Sequence, residues 1–229
     1  MTTPQDTSVL LTVRGTYIPA NLDAARTLHN DTAGSEQGIA AARSLGDLSH
    51  KVYAPCAKGG PMSNAKTGEL LFVDTWTDPG GIQTFFSNEH VVAQADKMFS
   101  ARNPTVWMPA RGSFSFNLPA AMDKQERYVG MLRAPVKSPE AAIAAFGEGV
   151  MKGQRAARQR GQLSHQLFIK LTPPGSAGPV EVLGLDLWSS LEGMLAHYGD
   201  EHMAVIRNCF AGAPDPSIWE QPSGRWSEW

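Results

Sequence analysis

Two histidines in this chain occupy positions where an imidazole could act as a general base. His50 and His165 each lie in a short run of alternating apolar residues, a pattern that predicts a β-strand. Each run is followed by a second predicted strand that carries an aspartate, Asp74 or Asp186. If the strands pair, each aspartate would orient the facing ring and fix its tautomer, as a general base requires. The alternative interpretation is a structural hydrogen bond that joins the two strands.

The two histidine–aspartate pairs belong to an internal duplication. Moving the second half back by 112 residues places Asp186–Trp188 on Asp74–Trp76, and Glu201–His202 on Glu89–His90. Four of the six tryptophans coincide in this way, and tryptophan is too rare for coincidence to explain the match. Upstream, a shift of 115 residues matches two further segments, Gly46–His50 and Gly161–His165. The chain is therefore predicted to contain two copies of one module.

Each copy is predicted to have the element order βαββαβ, the ferredoxin-like arrangement. A helix begins at Ser138, a typical N-cap followed by proline. The capping box Ser189–Glu192 predicts another helix that runs to about Phe210. The predicted strands are Val9–Tyr17, Leu48–Tyr53, Leu70–Trp76 and a segment spanning 107–116, then Tyr128–Arg133, Leu163–Leu171, Val180–Trp188 and a segment spanning 219–226.

One such module would leave the second face of its sheet apolar and uncovered, so it needs another layer. We therefore expect an α+β fold in which two tandem ferredoxin-like modules pack sheet-to-sheet into one α+β barrel around a ligand cavity. The predicted modules span residues 1–119 and 127–229, and the polar segment 120–126 is the predicted linker.

Other aromatic and histidine residues could complete a substrate pocket. Large aromatic residues at strand ends are more often plain core, and this is the alternative for the two strand tryptophans. His29 and His197 have no counterpart in the other copy, which would fit a duplicated barrel that retains one working cavity. For His197, a position on a helix surface is the simpler expectation. The predicted substrate-binding residues are Trp76, Trp188, His90, His202, Phe85 and His197.

Two pairs of segments resemble the antibiotic-biosynthesis-monooxygenase-like group of dimeric α+β barrel proteins. They are Leu71–Trp76 with Phe85–His90, and Gly184–Trp188 with His197–His202. In each pair an acidic residue and a tryptophan end a strand, and a helix with one or two histidines follows. The resemblance covers most of the chain, twice, and implies the barrel fold.

The functions that this resemblance implies are diverse. The superfamily includes cofactor-free oxygenases, haem-degrading enzymes, lactone isomerases and catalysts that bind haem. Haem-degrading members use a tryptophan in the second helix and a histidine further along. Neither copy carries that pair: the matching positions are near Phe85 and Gln94 or Ala95 in one, and near His197 and Arg207 in the other.

A metal-centred enzyme is an alternative. His50, His90 and Asp74 together offer the imidazole and carboxylate ligands that zinc or non-haem iron accepts. No His-x-x-x-His or His-x-His spacing supports such a site. We therefore expect no cofactor, with haem or a single metal ion as the alternative.

Composition excludes several other classes of function. A net charge of −2 gives no basic surface for nucleic acid or for a membrane. No apolar run approaches the roughly 18 residues that a membrane-spanning helix needs. The two cysteines, Cys56 and Cys209, are too few for a disulfide framework, and the N-terminal residues lack a secretory pattern. A cytoplasmic protein is expected.

These observations predict an enzyme that acts on a small hydrophobic compound, aromatic or polyketide-like, in the barrel cavity. The preferred reaction is a cofactor-independent oxygenation: His50 or His165 deprotonates a hydroxyaromatic, and the anion reacts with O2 in a dry cavity. A lyase or an isomerase would begin with the same proton abstraction. A protein that only carries lipophilic molecules is a further alternative. Exposed strand edges would allow a homodimer.

Overall fold

The computed structural model describes residues 7–118, 127–173, 175 and 178–229. The predicted linker, 120–126, lies outside these residues. The described residues form two compact units. The first unit comprises 7–54, Gly68–Trp107 and Pro222–Trp229, and the second comprises Pro55–Thr67 and the described part of 108–221. The module boundaries expected from the sequence stay a prediction.

The first unit contains a four-stranded antiparallel sheet in the order β4-β1-β3-β2. Its strands are β1 (Val9–Tyr17), β2 (Asp47–Pro55), β3 (Glu69–Trp76) and β4 (Phe99–Pro109), and its helices are α1 (Leu22–Asp31), α2 (Glu36–Ser44), α3 (Pro79–Phe86) and α4 (Glu89–Met98). The last strand ends earlier than the predicted segment 107–116, because the chain turns at Gly112, whose φ of 84° favours glycine.

The second unit repeats this order with one strand added at an edge, β9-β6-β8-β7-β5. Its strands are β5 (Phe116–Asn117), β6 (Tyr128–Val136), β7 (Gln162–Lys170), β8 (Val180–Trp188) and β9 (Asp215–Glu220), and its helices are α5 (Pro139–Gln159), α6 (Leu191–Tyr198) and two 3-10 helices, Gly60–Met62 and Glu201–Cys209. The α+β class and the ferredoxin-like order are confirmed. Strand β9 ends before the predicted segment 219–226 does, and residues 222–229 belong to the first unit.

The single helix predicted from the capping box to about Phe210 is wrong. The N-cap is Ser190, whose side chain accepts from the N–H of Gly193. The helix stops at Tyr198, since glycine and aspartate at the next two positions favour a turn over a helix interior. A 3-10 helix follows. None of the helices in the described residues is long and apolar enough to cross a membrane.

The four tryptophans that coincide in the repeat are core residues. Trp76 and Trp107 in the first unit, and Trp188 and Trp219 in the second, are each at most 1% exposed. Burying such a large ring removes more apolar surface from water than any other side chain does. The core interpretation of the strand tryptophans is therefore the one that the structure supports.

Two glycines that match in the repeat precede the histidine-bearing strands, in a backbone conformation that favours glycine. Gly46 and Gly161 have φ values of 100° and 103°. A Cβ at these positions would lie 2.1 Å from Oγ1 of Thr77 and 2.6 Å from Oγ of Ser189. We expect Gly46→Ala and Gly161→Ala each to lower the free energy of unfolding by about 1–3 kcal/mol in urea denaturation.

The matched control is Gly147→Ala in α5. A Cβ there would meet no atom within 4 Å, so the substitution should raise stability by about 0.5–1 kcal/mol, since alanine is the better helix former. Equal effects at all three positions would contradict the backbone argument.

Candidate active site

The strand register brings each predicted histidine to its predicted aspartate. His50 lies opposite Asp74 in the β2–β3 pair, and His165 lies opposite Asp186 in the β7–β8 pair. In both pairs, Nδ1 of the ring is 2.6 Å from a carboxylate oxygen, and the side chains are buried. A carboxylate that accepts from Nδ1 fixes the tautomer. The chemistry of each pair then depends on what Nε2 meets.

In the first unit, Nε2 of His50 is occupied. It lies 2.9 Å from Nε2 of His29, whose Nδ1 is 3.1 Å from the side-chain oxygen of Asn30. Burial, together with the charge of His50, lowers the pKa of His29 to about 4. Burial also disfavours the charged form of His50, but Asp74 outweighs this and raises the pKa of His50. Of the two rings His50 is thus the one that favours the proton, and His29 accepts as a neutral ring.

The segment Pro222–Trp229 covers this histidine pair. The Trp229 ring stacks on His50 with the centroids 4.7 Å apart, and Trp226 packs against His29 at 5.2 Å. The N–H of His50 also donates to the carbonyl of Trp229. The histidine–aspartate pair of the first unit is thus enclosed by its own unit, as a structural pair would be.

In the second unit, Nε2 of His165 is buried and has no hydrogen-bond partner among the described residues. The side chains of His165 and Asp186 line a cavity of about 620 Å³. Small-molecule sites in proteins are commonly about 300–1,000 Å³ and mostly apolar. The apolar part of this lining includes Met131, Leu132, Phe146, Val150, Met203 and Ile206.

The second oxygen of Asp186 is also held. The hydroxyl of Tyr198 donates to it at 2.7 Å, and burial, together with Asp186, raises the pKa of Tyr198 well above its usual range, so the phenol stays protonated. The strand residue opposite Asp186 is Gly130, where a Cβ would lie 2.1 Å from the tyrosine oxygen. In the first unit the equivalent strand residue is Leu11, and Phe86 takes the place of the tyrosine in the repeat. The hydrogen bond from a tyrosine to the aspartate is therefore found in the second unit and not in the described part of the first.

The predicted substrate-binding residues of the first copy do not line this cavity. Trp76 is in the core, and Phe85 packs on it with the ring centroids 5.5 Å apart. His90 is exposed at the beginning of α4. Because His90 is exposed while His50 and Asp74 are buried, the metal site proposed from these three residues does not form among the described residues.

In the second copy, one predicted residue joins the site. His197 lines the cavity and is 4% exposed, so the surface position expected for it is wrong. Trp188 lies outside the lining and packs against His197 at 5.3 Å. His202 also lies outside the lining, with its ring 5.0 Å from that of His197.

Sequence reasoning missed two features of the site. One is Tyr198, for which the repeat held a signal: Phe85 and Phe86 in the first copy correspond to His197 and Tyr198 in the second, so polar groups were present in one copy only. The other is the cover over His50. Its aromatic residues, Trp226 and Trp229, are the two tryptophans that the repeat leaves unmatched.

Comparison with solved structures shows the fold. An anthrone oxidase-like protein is 14% identical with a TM-score of 0.64, over 98% of this chain and 94% of that protein. A proposed monooxygenase from Lactobacillus acidophilus is 11% identical with a TM-score of 0.60, over 95% and 97%. A proposed monooxygenase from Fusobacterium nucleatum is 10% identical with a TM-score of 0.60, over 97% of each chain. No family model and no curated protein matches the chain. These likenesses confirm the dimeric α+β barrel fold that the sequence predicted.

The neutral state of His29 should appear in the pH dependence of stability. Its pKa is about 4 in the folded protein against 6.5 ordinarily, so between these values the unfolded chain binds a proton that the folded chain does not. The stability that neutral His29 contributes is complete above pH 6.5. It is lost as the pH falls toward 4, by up to about 3 kcal/mol.

His29→Gln tests this, because an amide oxygen can accept from His50 and does not titrate. Between pH 6.5 and pH 4 the free energy of unfolding of the variant, from denaturant titrations, should fall by less than that of the wild type. His90→Gln, which removes an exposed histidine, should retain the wild-type slope. Identical slopes for all three proteins would contradict a neutral, buried His29.

Proposed function

We propose that this protein is a cofactor-independent oxygenase that acts on a hydroxyaromatic compound in the second-unit cavity, with His165 as its general base. The observation that carries this proposal is the buried Nε2 of His165, which has no partner among the described residues although its ring lines an apolar cavity. Buried polar atoms are nearly always hydrogen-bonded. An exception beside a cavity supports a role in binding a polar group of a ligand.

The surroundings of His165 suit proton abstraction. Asp186 accepts from Nδ1, and in a neutral ring with its proton on Nδ1 the lone pair lies on Nε2. When Nε2 takes a proton, the ring becomes a cation that is already paired with a carboxylate. Tyr198 holds the other oxygen of that carboxylate, which keeps Asp186 from rotating away from the ring. The base is therefore oriented before the substrate enters.

The cavity walls suit the oxidative step. Apolar side chains favour an aromatic ring system and exclude water, which protects an electron-rich anion from reprotonation. Gln154, Gln162 and Arg207 also line the cavity and offer hydrogen-bond donors for phenolic or carbonyl oxygens. An anion formed beside His165 would also be stabilised by the resulting imidazolium.

One structural neighbour is named anthrone oxidase-like, and an anthrone illustrates the reaction. His165 takes a proton from the CH2 carbon between two aryl rings, and that carbon bonds to O2. The peroxide oxygen then takes the proton back from His165, which gives a hydroperoxide. Loss of the second C–H proton and cleavage of the O–O bond give a carbonyl and water. One oxygen atom enters the product and the other leaves as water. The electrons that reduce O2 come from the oxidised carbon.

Anthrone turnover should therefore depend on one histidine–aspartate pair and not on the other. We expect His165→Ala to lower kcat by roughly 10²–10⁴, the usual contribution of a general base. Asp186→Asn should cause a loss of similar order, because the amide no longer fixes the tautomer. His50→Gln, in the enclosed pair of the first unit, is the matched control and should retain turnover at temperatures where it stays folded. Oxygen uptake and quinone absorbance are the measurements.

Other outcomes would replace the proposal. Unchanged turnover in both His165→Ala and His50→Gln would exclude His165 and His50 as the base. Substrate consumption that continues without O2 would indicate a lyase or an isomerase. Tight binding of hydroxyaromatics with no turnover would indicate a carrier, and a Soret band in the purified protein would indicate a haem enzyme.

A further inference from the structure

Three side chains able to bind a metal ion converge where α6 ends. They are His197 on the helix, Asp200 in the turn and His202 at the beginning of the 3-10 helix. Each offers one ligand atom, and the three atoms lie within 4.8 Å of one another. Within the described ranges this is the only group of histidine, cysteine and acidic side chains that is spaced in this way.

His197 is available as a ligand. It is 4% exposed, and its Nδ1 is buried with no hydrogen-bond partner among the described residues. An imidazole nitrogen that keeps its lone pair is the group that binds a metal ion.

Asp200 has a supporting contact of the kind that metal ligands usually have, and His202 packs closely against α5. Oδ2 of Asp200 accepts from Arg160, and the same oxygen faces His202. Outer contacts of this kind orient ligating carboxylates. The ring of His202 fits against α5 only because residue 153 is glycine: a Cβ there would lie 2.0 Å from its Nε2. Nδ1 of His202 is 3.8 Å from Asp200.

The duplication isolates this cluster in one copy. The first-copy positions that correspond to His197, Asp200 and His202 are occupied by Phe85, Asn88 and His90. Two of the three ligands are therefore absent from the first copy, and the third residue, His90, is exposed. The cluster therefore lies in the unit that contains the cavity lined by His165.

We propose that His197, Asp200 and His202 bind a divalent transition-metal ion, of the class of Zn²⁺, Co²⁺ or Fe²⁺, beside the second-unit cavity. Two imidazoles and one carboxylate suit these ions better than Mg²⁺ or Ca²⁺, which prefer oxygen ligands. Three protein ligands leave a coordination position open. Because His197 also lines the cavity, an ion there would lie next to a bound ligand. The proposal does not depend on the oxygenase assignment.

Cobalt is the probe for the test. Untagged protein, dialysed against a chelator, is titrated with Co²⁺ while the visible absorption of the protein-bound ion is followed, and with Zn²⁺ in a calorimeter. We expect one ion per chain. His197→Gln and His202→Gln should each weaken binding by roughly 10- to 100-fold, as should Gly153→Ala, which keeps all three ligands but displaces the His202 ring.

The matched control is His90→Gln, which removes the histidine at the corresponding first-copy position and should bind Co²⁺ as the wild type does. His165→Gln should also bind normally, so a loss of turnover in that variant with normal cobalt binding separates the two proposals. Binding only at millimolar Co²⁺, or equal affinity in His90→Gln, His197→Gln and His202→Gln, would overturn the metal site and leave the oxygenase proposal standing.

Discussion

The cross-strand bond between a buried histidine and a buried aspartate is the interaction on which both units depend. An aspartate taken out of water needs a partner, and the antiparallel register supplies one by placing the histidine directly opposite at 2.6 Å. Because Nδ1 is bound to the aspartate, Nε2 is the ring nitrogen that can still interact with another group. In the first unit Nε2 of His50 meets His29. In the second unit Nε2 of His165 has no hydrogen-bond partner among the described residues, and His165 lines the cavity.

The surroundings of the two histidine–aspartate pairs differ: the first pair is covered, and the second lies beside a cavity. In the first pair, His29 accepts from Nε2 of His50 and Trp229 stacks on the His50 ring. The first pair is therefore part of the core. In the second pair the hydroxyl of Tyr198 donates to Asp186, and Gly130 leaves room for that hydroxyl. Nε2 of His165 has no hydrogen-bond partner among the described residues, so it can pair with a polar group of a ligand.

The sequence predicted most of this arrangement because its determinants are local. Alternating apolar residues place His50 and His165 on strands, and the repeat identifies Asp74 and Asp186 as their partners. Tertiary contacts decide the rest. Nothing in the periodicity of the chain shows that residues 222–229 belong to the first unit. The break in the helix after Tyr198 depends on the weak helix preference of the next two residues, and this break also gives His197 and His202 a common neighbour in Asp200.

The most direct test of the account is a crystal structure of the protein with anthrone, grown without O2 so that the ligand persists. The account predicts that the ring system lies in the second-unit cavity, against side chains such as Phe146 and Ile206. The reacting CH2 carbon or the ligand oxygen should lie within contact of Nε2 of His165, at about 2.6–3.2 Å for an oxygen. A ligand bound at His50 in place of Trp229, or one in the cavity whose reactive atoms all point away from His165, would contradict it.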